Sequence, residues 1–409
     1  MDAFDTLSDI CETRHAGDGR LRLSPANADQ LSAVLSTANR HHLPLSAEGA
    51  GCYRWMDGAR EHTPLLLDMR HISGVLDYQP EDMTLTVLAG TPIGEIRQLV
   101  AENGQELAVD TDCPESTIGG LFASGWNGLR SRSLGLNRDK IIGMEAMLPD
   151  GSIFQSGGKV VKNVTGYDLT RLLAGAHGTL GLFTQLSVRL TPAPRQRRML
   201  LWPYAHLQTA AQDMLKASQV VQLASCGTIP ASLIPTIGDS PLCDAEVLGW
   251  AIIDDGPLAI RELTSRLFQA LGKTLIALDD GERLDAAWDE LLAAPRTFLN
   301  EQGGMIEIGY PPAAGAEVLE CALEGTNDGI VYADRGVTYS RCRMDYPEPI
   351  HQLREKLQAF GAHLQFRGNG PEGLDYHGKI SAWPWLQKLK NELDPQHILN
   401  PGHGVFRAT

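Results

Sequence analysis

The sequence predicts an α+β protein of two domains with a C-terminal segment that returns to the first, and three observations carry that prediction. Short helical and strand patterns alternate through residues 1–195, interrupted by three glycine-rich stretches. A proline- and arginine-rich run, "TPAPRQRR", then marks a boundary near residue 195. Beyond it, strand and helix patterns follow in the order expected of an antiparallel sheet carrying helices.

Taken in order, the first helix is "PANADQLSAVLSTANRHHLP". Asn27 is its cap, with Gln30 three residues on; Leu31, Val34, Leu35 and Ala38 share one face, and Pro44 closes the segment. "LPLSAEGAGCYRW" is a short strand running into a glycine turn, and "TPLLLDM" and "MTLTVLAG" are strands. "TPIGEIRQLVAENG" is a helix with Thr91 as cap, Pro92 at the first helical position and Asn103-Gly104 as the stop. The stretch from Asp110 to Gly151 reads as a long loop of small residues. Thr165 and Asp168 have capping-box spacing ahead of a helix that buries Leu169, Leu172 and Leu173 and exits at Gly175. From Gly181 the period becomes two, with Leu182, Thr184, Leu186, Val188 and Leu190 on one side, which predicts a half-buried strand.

In the second half, "AEVLGWAIID", "GGMIEIGY" and "GIVYADRGVTYSRC" are strands. "PLAIRELTSRLFQALG", "AGAEVLECALEG" and "PIHQLREKLQAFG" are helices. The closing "LQKLKNELDPQHILNPGHG" is a short helix and a rigid proline-glycine turn. The domains are therefore 1–195, 196–367 and a returning segment, 368–409.

Composition bounds the function. With 409 residues, 43% of them hydrophobic, the chain fills real cores. Its net charge of −15 argues against general nucleic-acid binding, so an anionic ligand needs a locally arranged site. The acidic N-terminus is unlike a signal peptide and no apolar run approaches ~20 residues, so a cytoplasmic protein with no direct membrane span is expected. Seven scattered cysteines lack ligand spacing, which counts against a metal site, an iron–sulfur cluster or a disulfide scaffold. Redox chemistry would then require an organic cofactor.

The glycine stretches supply the candidate site. "EGAGCY" places Gly49 and Gly51 where a strand ends, so backbone N–H groups can converge on phosphate oxygens; an ordinary tight turn uses the same residues. Neither G-x-G-x-x-G spacing with a following βαβ unit nor a P-loop is present, which excludes the commonest nicotinamide and ATP sites. Three small-residue regions separated by apolar strands suit one ligand of dinucleotide size.

These residues resemble the FAD-binding domain of the vanillyl-alcohol oxidase / p-cresol methylhydroxylase (PCMH) superfamily. The resemblance rests on "AEGAGCY", "PESTIGGLFASGWNG", "GYDLTRLLAGAHGTLGLFTQLSVRLTP" and the closing "LDPQHILNPG". Within it, "KVVKNVTGYDLTRLLAG" and "GAHLQFRGNG" are most similar to the FAD-binding E subunits of glycolate oxidase (glycolate dehydrogenase) complexes. That likeness implies noncovalent FAD and a smaller second domain. It also implies two partners, a homologous FAD-binding catalytic subunit and an iron–sulfur electron-transfer subunit, with glycolate or another small 2-hydroxy acid oxidised and electrons passed toward quinone. Its implied cofactor contacts are Glu48, Gly49, Ala50, Gly51, Cys52 and Tyr53 in the first segment, and Pro114, Thr117, Gly119, Gly120, Ala123 and Ser124 in the second. Gly178, Thr179, Gly181 and Leu182 form the third. Glu48 stands where the family often has arginine.

For the chemistry, Lys162 is the candidate cation beside the flavin or its diphosphate, while Lys159 reads as solvated. Catalytic relatives share a motif near H-x-G-D-G-x-x-H; "GAHLQFRGNGPEGLDYHGK" retains His363, Arg367 and His377 without that arrangement. Arg367 is the candidate carboxylate-binding cation and His363 the candidate base. An autonomous 2-hydroxy-acid oxidoreductase and a noncatalytic electron-relay subunit both remain open.

Overall fold

A computed structural model describes residues 3–56, 63–158, 169–220, 222–237, 244–273, 275–279, 281–302, 304–324, 328–341, 348–368, 375–378 and 380–406. The first sheet has four strands in the order Glu12–His15, Leu21–Ser24, Leu65–Asp68, Leu45–Glu48, with the first pairing antiparallel and the others parallel. The helix Ala28–Arg40 makes the crossover. Asn27 Oδ1 accepts from the Gln30 N–H at 3.0 Å while Gln30 Oε1 accepts from the Ala26 N–H at 2.8 Å, so the cap serves the third residue and that residue serves the one before the cap. Leu31, Val34, Leu35 and Ala38 are fully buried against Leu23, Leu45, Leu65 and Leu67. Because Leu45–Glu48 is an edge strand of the parallel set, its carboxyl end projects the turn Gly49–Gly51 clear of the sheet. The C-terminal segment covers that edge through a bridge between Leu45 and Leu399.

The second sheet is antiparallel: Val75–Gln79, Thr84–Leu88, Leu182–Arg189, Ile141–Met147, Ile153–Gly157. Its central strand departs from the expected half-burial. Two irregularities in the pairing with Ile141–Met147 interrupt the alternation, and Phe183 and Ser187 are buried along with Leu182, Leu186 and Val188. Thr91 does not cap the helix Ile93–Ala101; Pro92 is the N-cap, and the Thr91 hydroxyl accepts from the Gly74 N–H and donates to the Leu88 carbonyl. The expected long loop holds a helix, Ile118–Ser124, whose cap Thr117 accepts from the Gly120 N–H at 3.2 Å. Its glycines disguise it in the sequence. Gly119 is there for contact, since a Cβ would sit 2.8 Å from that of Ala89.

The third sheet has eight antiparallel strands: Ile276–Asp279, Gln196–Tyr204, Val247–Asp255, Ser225–Pro230, Gly329–Tyr332, Val337–Arg341, Gly304–Gly309, His363–Gly368. The run expected as a boundary already enters this sheet at Gln196. Its arginines pair with carboxylates across the sheet, Arg197 with Asp254 at 2.7 Å and Arg198 with Asp279 at 2.5 Å. The helices Leu207–Val220, Pro257–Leu271, Gly315–Ala322 and Glu348–Gln358 accompany one core, around Trp202, Met214 and Phe366. On the other face Met199, Trp250, Tyr332 and Tyr339 share a core with Phe122, Trp126 and Leu129 of the first half and with the helix Glu282–Gln302. One continuous apolar layer therefore fixes the third sheet over the glycine-rich half. Among the described residues no helix is long and apolar enough to cross a membrane.

Asp334, in the turn between Gly329–Tyr332 and Val337–Arg341, is 4% exposed, and burial pushes its carboxyl from 3.8 up to about 6 despite hydrogen bonds from the Cys226 N–H and the Ser225 hydroxyl. The folded protein holds this proton more tightly than the unfolded chain does. Stability is thus greatest below the unfolded value and falls as pH rises through the interval from about 4 to about 6. Asp334→Asn is expected to flatten that fall and to exceed the parent by about 2 kcal/mol at pH 7.5 in denaturant titrations.

Candidate cofactor site

A cleft of about 820 Å³, its open mouth included, lies between the first two sheets. One wall is the turn after Leu45–Glu48. The N–H groups of Ala50, Gly51, Cys52 and Tyr53 donate to no acceptor among the described residues, and all four residues line the cleft. Gly51 takes a φ of 77°, which turns the chain there. A Cβ on Gly49 would overlap the Thr117 hydroxyl, so the turn rests directly on the cap of Ile118–Ser124.

The charge at this wall is not where the family resemblance puts it. Glu48 occupies the position of the frequent arginine and is paired with Arg22 and Arg54. Arg22 and Arg70 also pair with Asp68, at 3.0 and 2.6 Å; burial acts to raise that carboxyl, but the Arg70 contacts outweigh it and hold it below the usual range. Of these three guanidiniums, that of Arg54 lines the cleft.

The other wall comes from the end of the chain. Asn400, at a φ of 43°, accepts from the Ala47 N–H at 2.7 Å and donates to the His177 carbonyl at 2.7 Å, bridging the first sheet to the third glycine segment. Behind it Lys390, 4% exposed, donates to the carbonyls of Thr179 at 2.6 Å and Leu399 at 3.1 Å and to Asp394 at 2.6 Å. Asp394 is fully buried and receives the N–H groups of Ile398 and Leu399. Lys390→Met would strand the Asp394 charge and release this clasp. A loss of about 3 kcal/mol is expected, with a lower flavin-to-protein absorbance ratio in the purified protein.

Of the residues implied by resemblance, Glu48 to Tyr53, Thr117, Gly119, Gly120, Ala123, Ser124, Gly178, Gly181 and Leu182 all line the cleft. Pro114 does not; it is exposed and its carbonyl receives the Gly94 N–H. Thr179 lies behind the lining, its hydroxyl donating to the Ala176 carbonyl and its own carbonyl receiving Lys390. Lys159, Lys162, Thr165, Tyr167 and Asp168 lie outside the described residues. Arg54, His177, Asn400 and His403 were not foreseen as lining residues. The signal for the last two was present in "NPGHG", read as a closing turn and, through "LDPQHILNPG", as part of the family resemblance, but not as part of the site.

The cysteine reading needs correction. Cys52 and Cys113, 61 residues apart, form a disulfide with a Cα separation of 6.3 Å, joining the first glycine segment to the second. The Tyr53 hydroxyl donates to Thr111 at 2.7 Å beside it. Spacing along the chain hides a pair made by folding.

A second cavity, about 800 Å³, adjoins the first, the two sharing Ser124 and His177 as lining residues. The third sheet gives it Gln365 and Arg367, and His377 follows, its ring held by the Gly404 carbonyl at 2.9 Å. Asn137 and Arg138 complete the opposite side. His363 is not among the lining residues. It is exposed at the far end of its strand, roughly 13 Å from Arg367 at strand spacing, with its imidazole over Gly309. The fold therefore does not unite His363 and Arg367. Among the described residues no group of three or more histidine, cysteine or acidic side chains has the arrangement of a metal site.

Comparison with known proteins agrees with this geometry. Residues 20–157 match the FAD binding domain family. The chain is 33% identical to the glycolate oxidase subunit GlcE of Escherichia coli over 382 residues, covering 91% of this chain and 97% of that one. It is 28% identical to the glycolate oxidase subunit GlcD of Bacillus subtilis over 423 residues, covering 93% and 87%. An alkyldihydroxyacetonephosphate synthase structure superposes with a TM-score of 0.64 at 17% identity over 94% of this chain and 76% of the other, a likeness of fold.

Proposed function

The chain belongs to the PCMH-type FAD-binding oxidoreductase superfamily that includes the glycolate oxidase subunits, and from that premise we propose that it is the FAD-binding subunit of a multisubunit 2-hydroxy-acid dehydrogenase, with glycolate as substrate and glyoxylate as product. Its domains are 1–195 for the cofactor, 196–367 as a cap, and 368–409 as a clasp on the cofactor domain. The adjacency of the two cavities at Ser124 and His177 carries the reading, because a dinucleotide held in the first would extend toward the second with its far end.

FAD, when bound, supplies two-electron acceptance from an alcohol and onward transfer of single electrons. The N–H groups of Ala50 to Tyr53 and the Arg54 guanidinium would hold its diphosphate. Gly119 and Gly178 keep the walls close, and Asn400 locks them together. Phe122 and Trp126 belong to the apolar core beneath, which excludes water from this side. Glycolate is oxidised on the homologous FAD subunit, and an iron–sulfur subunit receives the electrons. Separation of the chemistry between subunits is supported by the distance between His363 and Arg367, of which only Arg367 lines the second cavity.

Purification of the chain alone and with its two partners tests this. The expected result is a flavin spectrum in both preparations, bleached anaerobically by glycolate only in the complex. Bleaching of the isolated chain would establish an autonomous oxidoreductase instead, and apoprotein in both preparations would remove the cofactor role.

A further inference from the structure

Two of the segments that shape the cofactor cleft are joined covalently. Cys52, in the turn after Leu45–Glu48, lines the cleft, and its disulfide partner Cys113 lies just ahead of the helix Ile118–Ser124. The two ends of this bridge are held very differently. On the Cys113 side the chain is fastened to the helix Ile93–Ala101: the Gly94 N–H donates to the Pro114 carbonyl and the Ile93 N–H to the Ser116 carbonyl, both at 2.8 Å. The Cys113 N–H itself donates to the hydroxyl of buried Thr111 at 3.1 Å. On the Cys52 side, from Ala50 to Tyr53, the backbone hydrogen bonds among the described residues are local, the Arg54 N–H to the Gly51 carbonyl and the Met56 N–H to the Tyr53 carbonyl. The disulfide therefore ties a lightly held turn to an anchored segment.

That turn carries the N–H groups that would hold the diphosphate, so its freedom bears directly on cofactor affinity. Two other ties cross the same gap, the Tyr53 hydroxyl to Thr111 at 2.7 Å and the close contact of Gly49 with Thr117. Both survive when the disulfide opens, so the turn gains freedom without leaving its place. Cys52 and Cys113 are half-buried, and Cys113 is followed by exposed Pro114 and Glu115, which leaves the bond open to a reductant from the loop side.

We propose that the Cys52–Cys113 disulfide is a redox switch of cofactor retention: closed, it presets the diphosphate turn; opened by a dithiol reductant, it weakens the hold on FAD. The reaction is thiol–disulfide exchange. One thiolate of the dithiol attacks the Cys113 Sγ, the bond between the two cysteines breaks, and Cys52 leaves as a thiolate that takes up a proton. The second thiol of the reductant then displaces Cys113, so that two electrons and two protons pass to the protein and the reductant becomes a disulfide. The inference rests on the preceding reading only in placing FAD in the cleft; neither the substrate nor the partner subunits enter it.

The test uses the full-length chain stripped of flavin, in an air-oxidised form and in a form reduced with dithiothreitol and desalted anaerobically. Peptide mapping after alkylation is expected to show Cys52 and Cys113 cross-linked in the first and separate in the second. Fluorescence titration is expected to give an FAD dissociation constant on the order of tenfold higher for the reduced form. Because linkage is reciprocal, saturating FAD should by that factor make the disulfide harder to reduce, a shift of about 30 mV against a dithiothreitol redox buffer. Cys113→Ser, at a residue outside the cleft lining, is expected to show the weaker constant with or without reductant, which separates this bond from the other cysteines. Equal FAD affinity of the two forms overturns the proposal, and that comparison needs no variant to fold. So does oxidised protein without the cross-linked peptide, or a Cys113→Ser protein that keeps the parent's tight binding. Absence of FAD binding in both forms overturns the proposal together with the cofactor reading, whereas equal and tight binding leaves that reading standing.

Discussion

Arg130→Met is expected to lower stability by about 3–5 kcal/mol, the largest single loss in the protein, because it strands a buried cluster of acids. Arg130 is 4% exposed and hydrogen-bonds Asp110 at 2.8 and 3.0 Å, Glu106 at 3.1 and 3.2 Å and Asp254 at 2.9 Å. Two of those acids belong to the glycine-rich half and the third to the eight-stranded sheet, so the guanidinium ties the halves together. Gly128 has no room for a Cβ against Asp110, which brings the backbone close enough for the Arg130 N–H to reach the same carboxylate at 2.8 Å. Methionine conserves the apolar stem and removes only the charge.

The sign with pH follows. Burial pushes Asp110 up, but Arg130 and its hydrogen bonds outweigh this and hold the carboxyl below 3.8. In the parent that contribution is present above the unfolded value and disappears as pH falls through the lower folded one. Without the Arg130 guanidinium, desolvation is opposed only by the retained backbone N–H and by Arg197, so Asp110 is expected to hold a proton more readily on folding. The penalty of the variant should therefore be greatest at neutral pH and shrink toward pH 4, as read from urea midpoints across that range. A constant deficit would mean that the loss is one of packing.

Most elements were legible because periodicity and capping act locally. Asn27 and Gln30 announced their helix, and the apolar rows on either side of the glycine turns announced the first two sheets. Failures share a physical cause, which is partnership across the chain. Arg197 and Arg198 looked like linker charge because Asp254 and Asp279 lie 57 and 81 residues away. Gly119 and Gly120 looked like loop because their use, approach to Ala89 and to the Thr117 hydroxyl, exists only in the fold. The same limit applied at the site. The glycine segments identified one wall of the cleft, whereas Arg54 and Asn400 acquire their places through Glu48 and through contacts spanning 353 residues.

Gly49→Ala is expected to weaken FAD binding on the order of 100-fold with a much smaller effect on folding. The new methyl group would occupy the space of the Thr117 hydroxyl and approach its Cγ2 to 2.8 Å, so turn and helix cap must separate. Overpacking of this kind costs up to about 3 kcal/mol. That cost falls on the cofactor because the displaced segment carries the Ala50 to Tyr53 donors, while the cores on either side retain their contacts. Thr117→Ala removes the obstructing atoms and also the cap to the Gly120 N–H, a loss of about 1 kcal/mol by itself. The two substitutions should therefore compensate: the double variant retains FAD better than Gly49→Ala alone although it contains one more destabilising change. Fluorescence titration of FAD into the four apoproteins reads the coupling directly. Strict additivity of the two losses would show that Gly49 serves backbone freedom rather than close approach, and would relocate the diphosphate contact away from this turn.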